Sequence, residues 1–127
     1  MTMHASLRRR EPVRMMRLWA AYLLPPTIWS SHLLFAYLFS SFTCAYGGTA
    51  TVRTEIALIT AIALAAIAAC GWMGYTEAKD LDVLGWDHEE RVIRSRGFMA
   101  RTAMFAAMLF FIATLFEAAP AFALRTC

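Results

Sequence analysis

The sequence predicts an all-α integral membrane protein with three transmembrane helices, its N-terminus cytoplasmic and its C-terminus outside. Three observations predict it. Of 127 residues, 60% are hydrophobic and 17% charged, and the mean hydropathy is +0.52. That is more apolar than one soluble core of this size tolerates, because a small domain has proportionally the most surface to cover with polar groups. The apolar residues collect in three stretches, each supplying the roughly 20 residues that a helix at 1.5 Å per residue needs to cross about 30 Å of hydrocarbon. The 12 Lys and Arg residues are divided unevenly between the flanks of those stretches.

The expected organisation is a single transmembrane domain: a basic, interfacial segment over 1–24, a first span over 25–46, a second over 54–75, a cytoplasmic loop and helix start over 76–101, and a third span over 102–124. None of the stretches has the polar alternation of a barrel strand, and helices are the other way to satisfy a backbone in lipid. Arg8, Arg9, Arg10, Arg14 and Arg17 precede the first span, and Lys79, Arg91, Arg94, Arg96 and Arg101 lie between the second and third. Only Arg53 and Arg125 fall on the other side. Positive charge stays inside, which sets the orientation. A cleaved signal peptide is a poorer reading, since the first apolar run is too long for one and Ser41, Phe42, Thr43 and Cys44 make a poor lipoprotein cleavage site. The net charge of +3 belongs to these flanks and not to a polar surface, which argues against nucleic acid as a partner.

In the first span, Pro25 and Pro26 lack backbone donors and disfavour helix at the preceding residue, so a kink or a new helix start is expected near Leu24. Residues 15–24 would then lie along the inner interface with Trp19 and Tyr22 as anchors. If the helix runs through the prolines, His32 sits nearer the middle of the bilayer. Trp29, His32, Ala36, Ser40 and Thr43 recur at helical spacing and form a polar stripe that should face protein, since polar groups facing lipid are costly. Trp29, His32, Tyr37 and Ser40 are therefore candidate contacts with neighbouring helices or a partner. For His32 three roles stay open: a hydrogen bond to another helix, a proton relay, or a haem or metal ligand. Haem is the minor possibility, because a second intramembrane histidine would have to come from another copy of the chain.

The second span repeats Ala57, Ala61, Ala65 and Ala69, with Gly71 and Gly74 at its inner end, and is expected to pack closely along that side. Cys70 reads as a small, inert core residue. Beyond it, Asp87, His88, Glu89 and Glu90 do not make a metal site, because adjacent helical residues point in different directions. Asp87 as N-cap and Glu90 three residues later read instead as a capping-box variant, with Glu90 and Arg94 as an i,i+4 pair and a helix beginning near His88.

In the third span Glu117 sits near a helix C-terminus in apolar surroundings, where both the dipole and desolvation oppose its charge. Compensation would come from protonation, from Arg53 or Arg125 at the outer face, or from a cation on another subunit. Cys44 and Cys127 follow outward-running helices, so both are expected outside, where a disulfide survives. A bridge closing about 80 residues would contribute up to a few kcal/mol on the entropic model. Free thiols, or metal ligands shared with a partner, are the alternatives.

The run from Pro25 through Thr27, Ile28, Trp29, Ser30, Ser31 and His32, then Tyr37, Cys44, Glu117, Pro120 and Cys127, resembles a group of small bacterial membrane proteins encoded beside cytochrome c oxidase subunits and assembly factors. The resemblance implies a noncatalytic accessory subunit or assembly factor of a haem-copper oxidase in the bacterial inner membrane, with a larger membrane complex as partner. It supplies no catalytic residue, and no cofactor or small-molecule substrate is expected from it. Two other classes remain: a small redox protein using haem on His32 or the outer cysteines, although no Cys-x-x-Cys occurs, and a homo-oligomeric proton or ion pathway through His32 and Glu117, although no inverted repeat is visible.

Overall fold

Long apolar runs satisfy their backbones by helix formation, and the computed structural model, which describes residues 2–46, 49–83 and 90–123, is helical throughout those segments. Helix α1 spans Thr2–Tyr46, α2 Thr49–Val83 and α3 Glu90–Ala123. Each packs on both others, with α2 and α3 sharing the most extensive contact. The pairing is up, down, up. The start of α2 meets the end of α3 at Arg53 and Phe122, and the end of α2 meets the early part of α1 at Asp80 and Arg14.

Two helices are long and apolar enough to cross a membrane: 29 residues over Arg53–Leu81, with an 18-residue stretch of mean hydropathy 2.3, and 27 residues over Arg94–Pro120, with one of 1.8. Each is about 40 Å long at 1.5 Å per residue. In α1, Pro25, Pro26, Ser30, Ser31, His32, Ser40 and Ser41 dilute the apolar residues, and it does not reach the same level.

Among the described residues alanine is the commonest buried apolar residue, with Leu18, Ile56 and Ile67 the larger ones. Ala63, Ala100, Ala103, Ala107 and Ala118 are buried, whereas Ile62, Trp72, Phe105, Leu109 and Phe116 point outward. Water would penalise so much exposed apolar surface. Lipid does not, and there helices associate through small residues and close backbones. The buried row of α2 is Ile56, Thr60, Ala63, Ile67, Cys70, Gly74 and Glu77, alternating steps of four and three as in a coiled-coil seam. Ala61, Ala65 and Ala69 of the four-residue alanine repeat are exposed instead. The glycines do make the expected close approach: a β-carbon on Gly71 would stand 3.2 Å from that of Ala107, and one on Gly74 would stand 3.3 Å from the Ala100 carbonyl oxygen.

No new helix starts near Leu24, since α1 runs through Pro25 and Pro26, and α3 through Pro120. A break inside the packed bundle would strand more backbone donors and acceptors than two prolines remove. Pro25 itself is fully buried with Leu18. The expected inner loop is also largely helical, α2 reaching Val83 and α3 starting at Glu90. Asp87, His88 and Glu89, the proposed cap, lie outside the described residues, as does the side chain of Glu90.

Candidate functional site

The polar residues of the three seams meet at one level. His32 of α1 is 3% exposed, held between α2 and α3. Its Nε2 lies 2.9 Å from Thr60 Oγ1, and its Nδ1 lies 3.9 Å from Glu117 Oε2. Thr60 Oγ1 donates in turn to the Ile56 carbonyl at 2.7 Å, the usual outlet for a threonine hydroxyl inside a helix. Thr114, one turn before Glu117, is fully buried and donates to the Phe110 carbonyl. One turn before His32 in α1, Trp29 packs its ring on Phe110 with centroids 5.5 Å apart.

Helical spacing explains the convergence. Trp29 and His32 share a face three residues apart, and Phe110, Thr114 and Glu117 share another with steps of four and three. Because α1 and α3 run the same way, two contacts at one level imply two more a turn later. Buried polar atoms are left over here: Trp29 Nε1, His32 Nδ1 and Glu117 Oε2 have no hydrogen-bond partner. The last two face each other.

Other candidate residues are placed differently. Ser40 is half-buried farther along α1, whereas Tyr37 is 70% exposed and projects away from the bundle. Arg53, expected beside Glu117, donates to the Phe122 carbonyl at 3.2 Å, satisfying an end of α3 that attracts cations. Arg125 and Cys127 lie outside the described residues, as does the side chain of Cys44. Cys70 is a buried free thiol. Among the described residues no three His, Cys, Asp or Glu side chains are grouped to hold a metal ion.

A second polar cluster, where the end of α2 meets the early part of α1, was not anticipated from the sequence. Glu77 is 5% exposed and takes Arg17 at 3.4 Å and Arg14 at 3.8 Å. Arg14 also donates to Asp80 at 3.0 Å. The signal was register: Glu77 follows Gly74 by three residues and continues the seam of α2. Two of the arginines counted for the expected orientation thus bind protein as well.

Chemically, the His32 cluster holds a ring nitrogen against a carboxyl group in apolar surroundings, an arrangement suited to holding a proton. The imidazole is enclosed by its own bundle, with Nε2 already hydrogen-bonded. No protein-family model matches the sequence, and neither does a curated protein or a solved structure.

Proposed function

We propose that this chain is a noncatalytic accessory subunit or assembly factor of a membrane respiratory complex of the cytochrome c oxidase kind. In this reading it spans a bacterial inner membrane three times, with its N-terminus inside and its C-terminus outside. The observation that carries the noncatalytic part is the closure of the polar interior. The acid and the imidazole of the spans face each other, and the outer faces are left with large apolar side chains such as Phe98, Phe105 and Phe116. Such faces suit lipid or the flank of a larger membrane protein. The respiratory assignment rests on the resemblance carried by residues 25–44 and 117–127. Affinity purification of the tagged chain in mild detergent tests it. Co-recovery of oxidase subunits is the expected result, another membrane complex would remove the oxidase assignment, and recovery of the chain alone would overturn the accessory reading.

The contact between His32 and Glu117 favours a second reading, a proton pathway through copies of the chain. Against it, the route from His32 through Nε2 ends at Thr60, whose hydroxyl proton is committed to the Ile56 carbonyl. A haem on His32 would require Nε2 to leave Thr60 and the ring to turn outward. Proton flux into vesicles containing the purified chain, and a haem Soret band on it, are the measurements that would revive these two readings.

A further inference from the structure

We propose that His32 and Glu117 form a binding site for one proton, held between Nδ1 and the carboxyl group, which fastens α1 to α3.

The argument begins with what the apolar stretches contain. Across residues 18–46, 56–76 and 102–123 the sequence has one carboxylate, Glu117, one imidazole, His32, and neither Lys nor Arg. The fold brings these two to 3.9 Å. Hydrogen-bond direction then fixes the ring. Thr60 has a single hydroxyl proton, and it is spent on the Ile56 carbonyl at 2.7 Å. Its oxygen can therefore only accept from His32, at 2.9 Å, so Nε2 carries a proton and a neutral ring presents a bare lone pair at Nδ1.

That lone pair faces a carboxylate oxygen. Two acceptors buried against each other repel, and each lacks a donor. One added proton removes the conflict wherever it rests: a carboxylic acid donating to Nδ1, or an imidazolium donating to a carboxylate. Both forms contain the same atoms and leave the pair uncharged, whereas loss of the proton leaves one negative charge inside an apolar bundle. Among the described residues Glu117 makes no ion pair with Lys or Arg that would neutralise that charge. From α2 the nearest ionisable groups are Arg53, engaged with Phe122, and Glu55, of the wrong sign, both exposed. From α1 and α3 the neighbours are Trp29 and Thr114, which do not ionise near neutral pH. Closing 3.9 Å to a hydrogen bond of about 2.9 Å asks for a movement of about 1 Å.

Glu117 is the more open member of the pair, its side chain 23% exposed against 2% for His32, so a proton reaches the pair more readily through the carboxyl group. The far side ends at Thr60. The pair stores a proton and does not pass it on.

The test uses the full chain in lipid nanodiscs with His4→Gln and His88→Gln, so that His32 is the only imidazole. Nitrogen-15 NMR of labelled histidine is expected to show Nε2 protonated at every pH and Nδ1 sharing a proton that is lost once as pH rises. Infrared difference spectra across that step should contain a Glu117 carboxyl band. In Glu117→Gln the amide donates to Nδ1 without titrating, so the uptake of one proton falls to none and helix association no longer varies with pH. A bare Nε2 with a protonated Nδ1 would overturn the proposal, as would an unchanged His32 titration in Glu117→Gln. If that variant does not fold, the wild-type ring spectrum and infrared band decide alone.

Discussion

Gly74→Ala should loosen the bundle, although the same change elsewhere in this chain should tighten it. A β-carbon at Gly74 would stand 3.3 Å from the Ala100 carbonyl oxygen and 3.3 Å from Met104 Cγ. Met104 can rotate away, but the Ala100 oxygen belongs to the backbone of α3 and moves only with the helix. At Gly71 the obstacle is the β-carbon of Ala107 at 3.2 Å, against an ordinary carbon contact of about 3.5–4.0 Å. Overpacking of this kind costs about 1–3 kcal/mol, offset by about 1 kcal/mol from the better helix propensity of alanine. Gly97 supplies the control, because nothing lies within 4 Å of a β-carbon there and only the propensity gain applies. Comparing Gly74→Ala with Gly97→Ala cancels propensity and leaves the packing term, about 1–3 kcal/mol or roughly 5- to 150-fold in the folded-to-unfolded ratio. Unfolding in mixed micelles with increasing SDS, followed by circular dichroism, measures it. If Gly74→Ala and Gly71→Ala prove as stable as Gly97→Ala, the close contact between α2 and α3 is wrong.

Thr60→Val keeps the shape but removes the acceptor for His32 Nε2, and should cost about 1 kcal/mol in the same assay while Thr60→Ser costs less; equal losses would mean the hydroxyl is not used. Glu77→Gln should release the early part of α1 from α2, seen as faster amide hydrogen exchange over residues 12–18 with a stability loss of about 1 kcal/mol, because the two arginines are half in solvent. Exchange confined to α2 would contradict this. Nonreducing mass spectrometry should find Cys44 and Cys127 joined, and two alkylatable thiols there would remove the disulfide. Tags on the two termini should be reached from opposite sides of the membrane, and access from one side would break the orientation.

Helix content, two of the three expected apolar spans and the prominence of His32 and Glu117, though not their pairing, were legible in the sequence. In an apolar segment the rare ionisable residue is costly and must have a partner, so His32 and Glu117 stand out even without a fold. The faces were not legible. When nearly every residue is apolar, periodicity has no contrast, and a repeat of alanines at four-residue steps turns about 40° per step around the helix. Ala57, Ala61, Ala65 and Ala69 therefore spiral away from any neighbour, whereas Thr60, Cys70, Gly74 and Glu77 stay on one seam at steps of three and four. Those polar and small residues were the better guide. Glu77 was read as a loop residue because the span was ended at 75, although its register continued unbroken. Arg53 was matched to Glu117 by sign alone, and a helix end offers carbonyl oxygens that draw a guanidinium as well.

Apolar burial cannot choose the register of three helices in lipid, because sliding one past another exchanges one hydrocarbon contact for a similar one. Polar contacts can, and the described residues include them at three heights. Arg14 and Arg17 meet Glu77 at one end, His32 meets Thr60 and Glu117 farther along, and Arg53 meets the Phe122 carbonyl at the other end. A slip of one turn, about 5.4 Å, would break all three and leave a buried carboxylate at two of them. The first and last of these contacts use arginines, which keep their charge at any ordinary pH. The middle one has no permanent charge and rests on the proton proposed above to lie between His32 and Glu117, so a partner that senses the arrangement of α1 and α3 would sense it there.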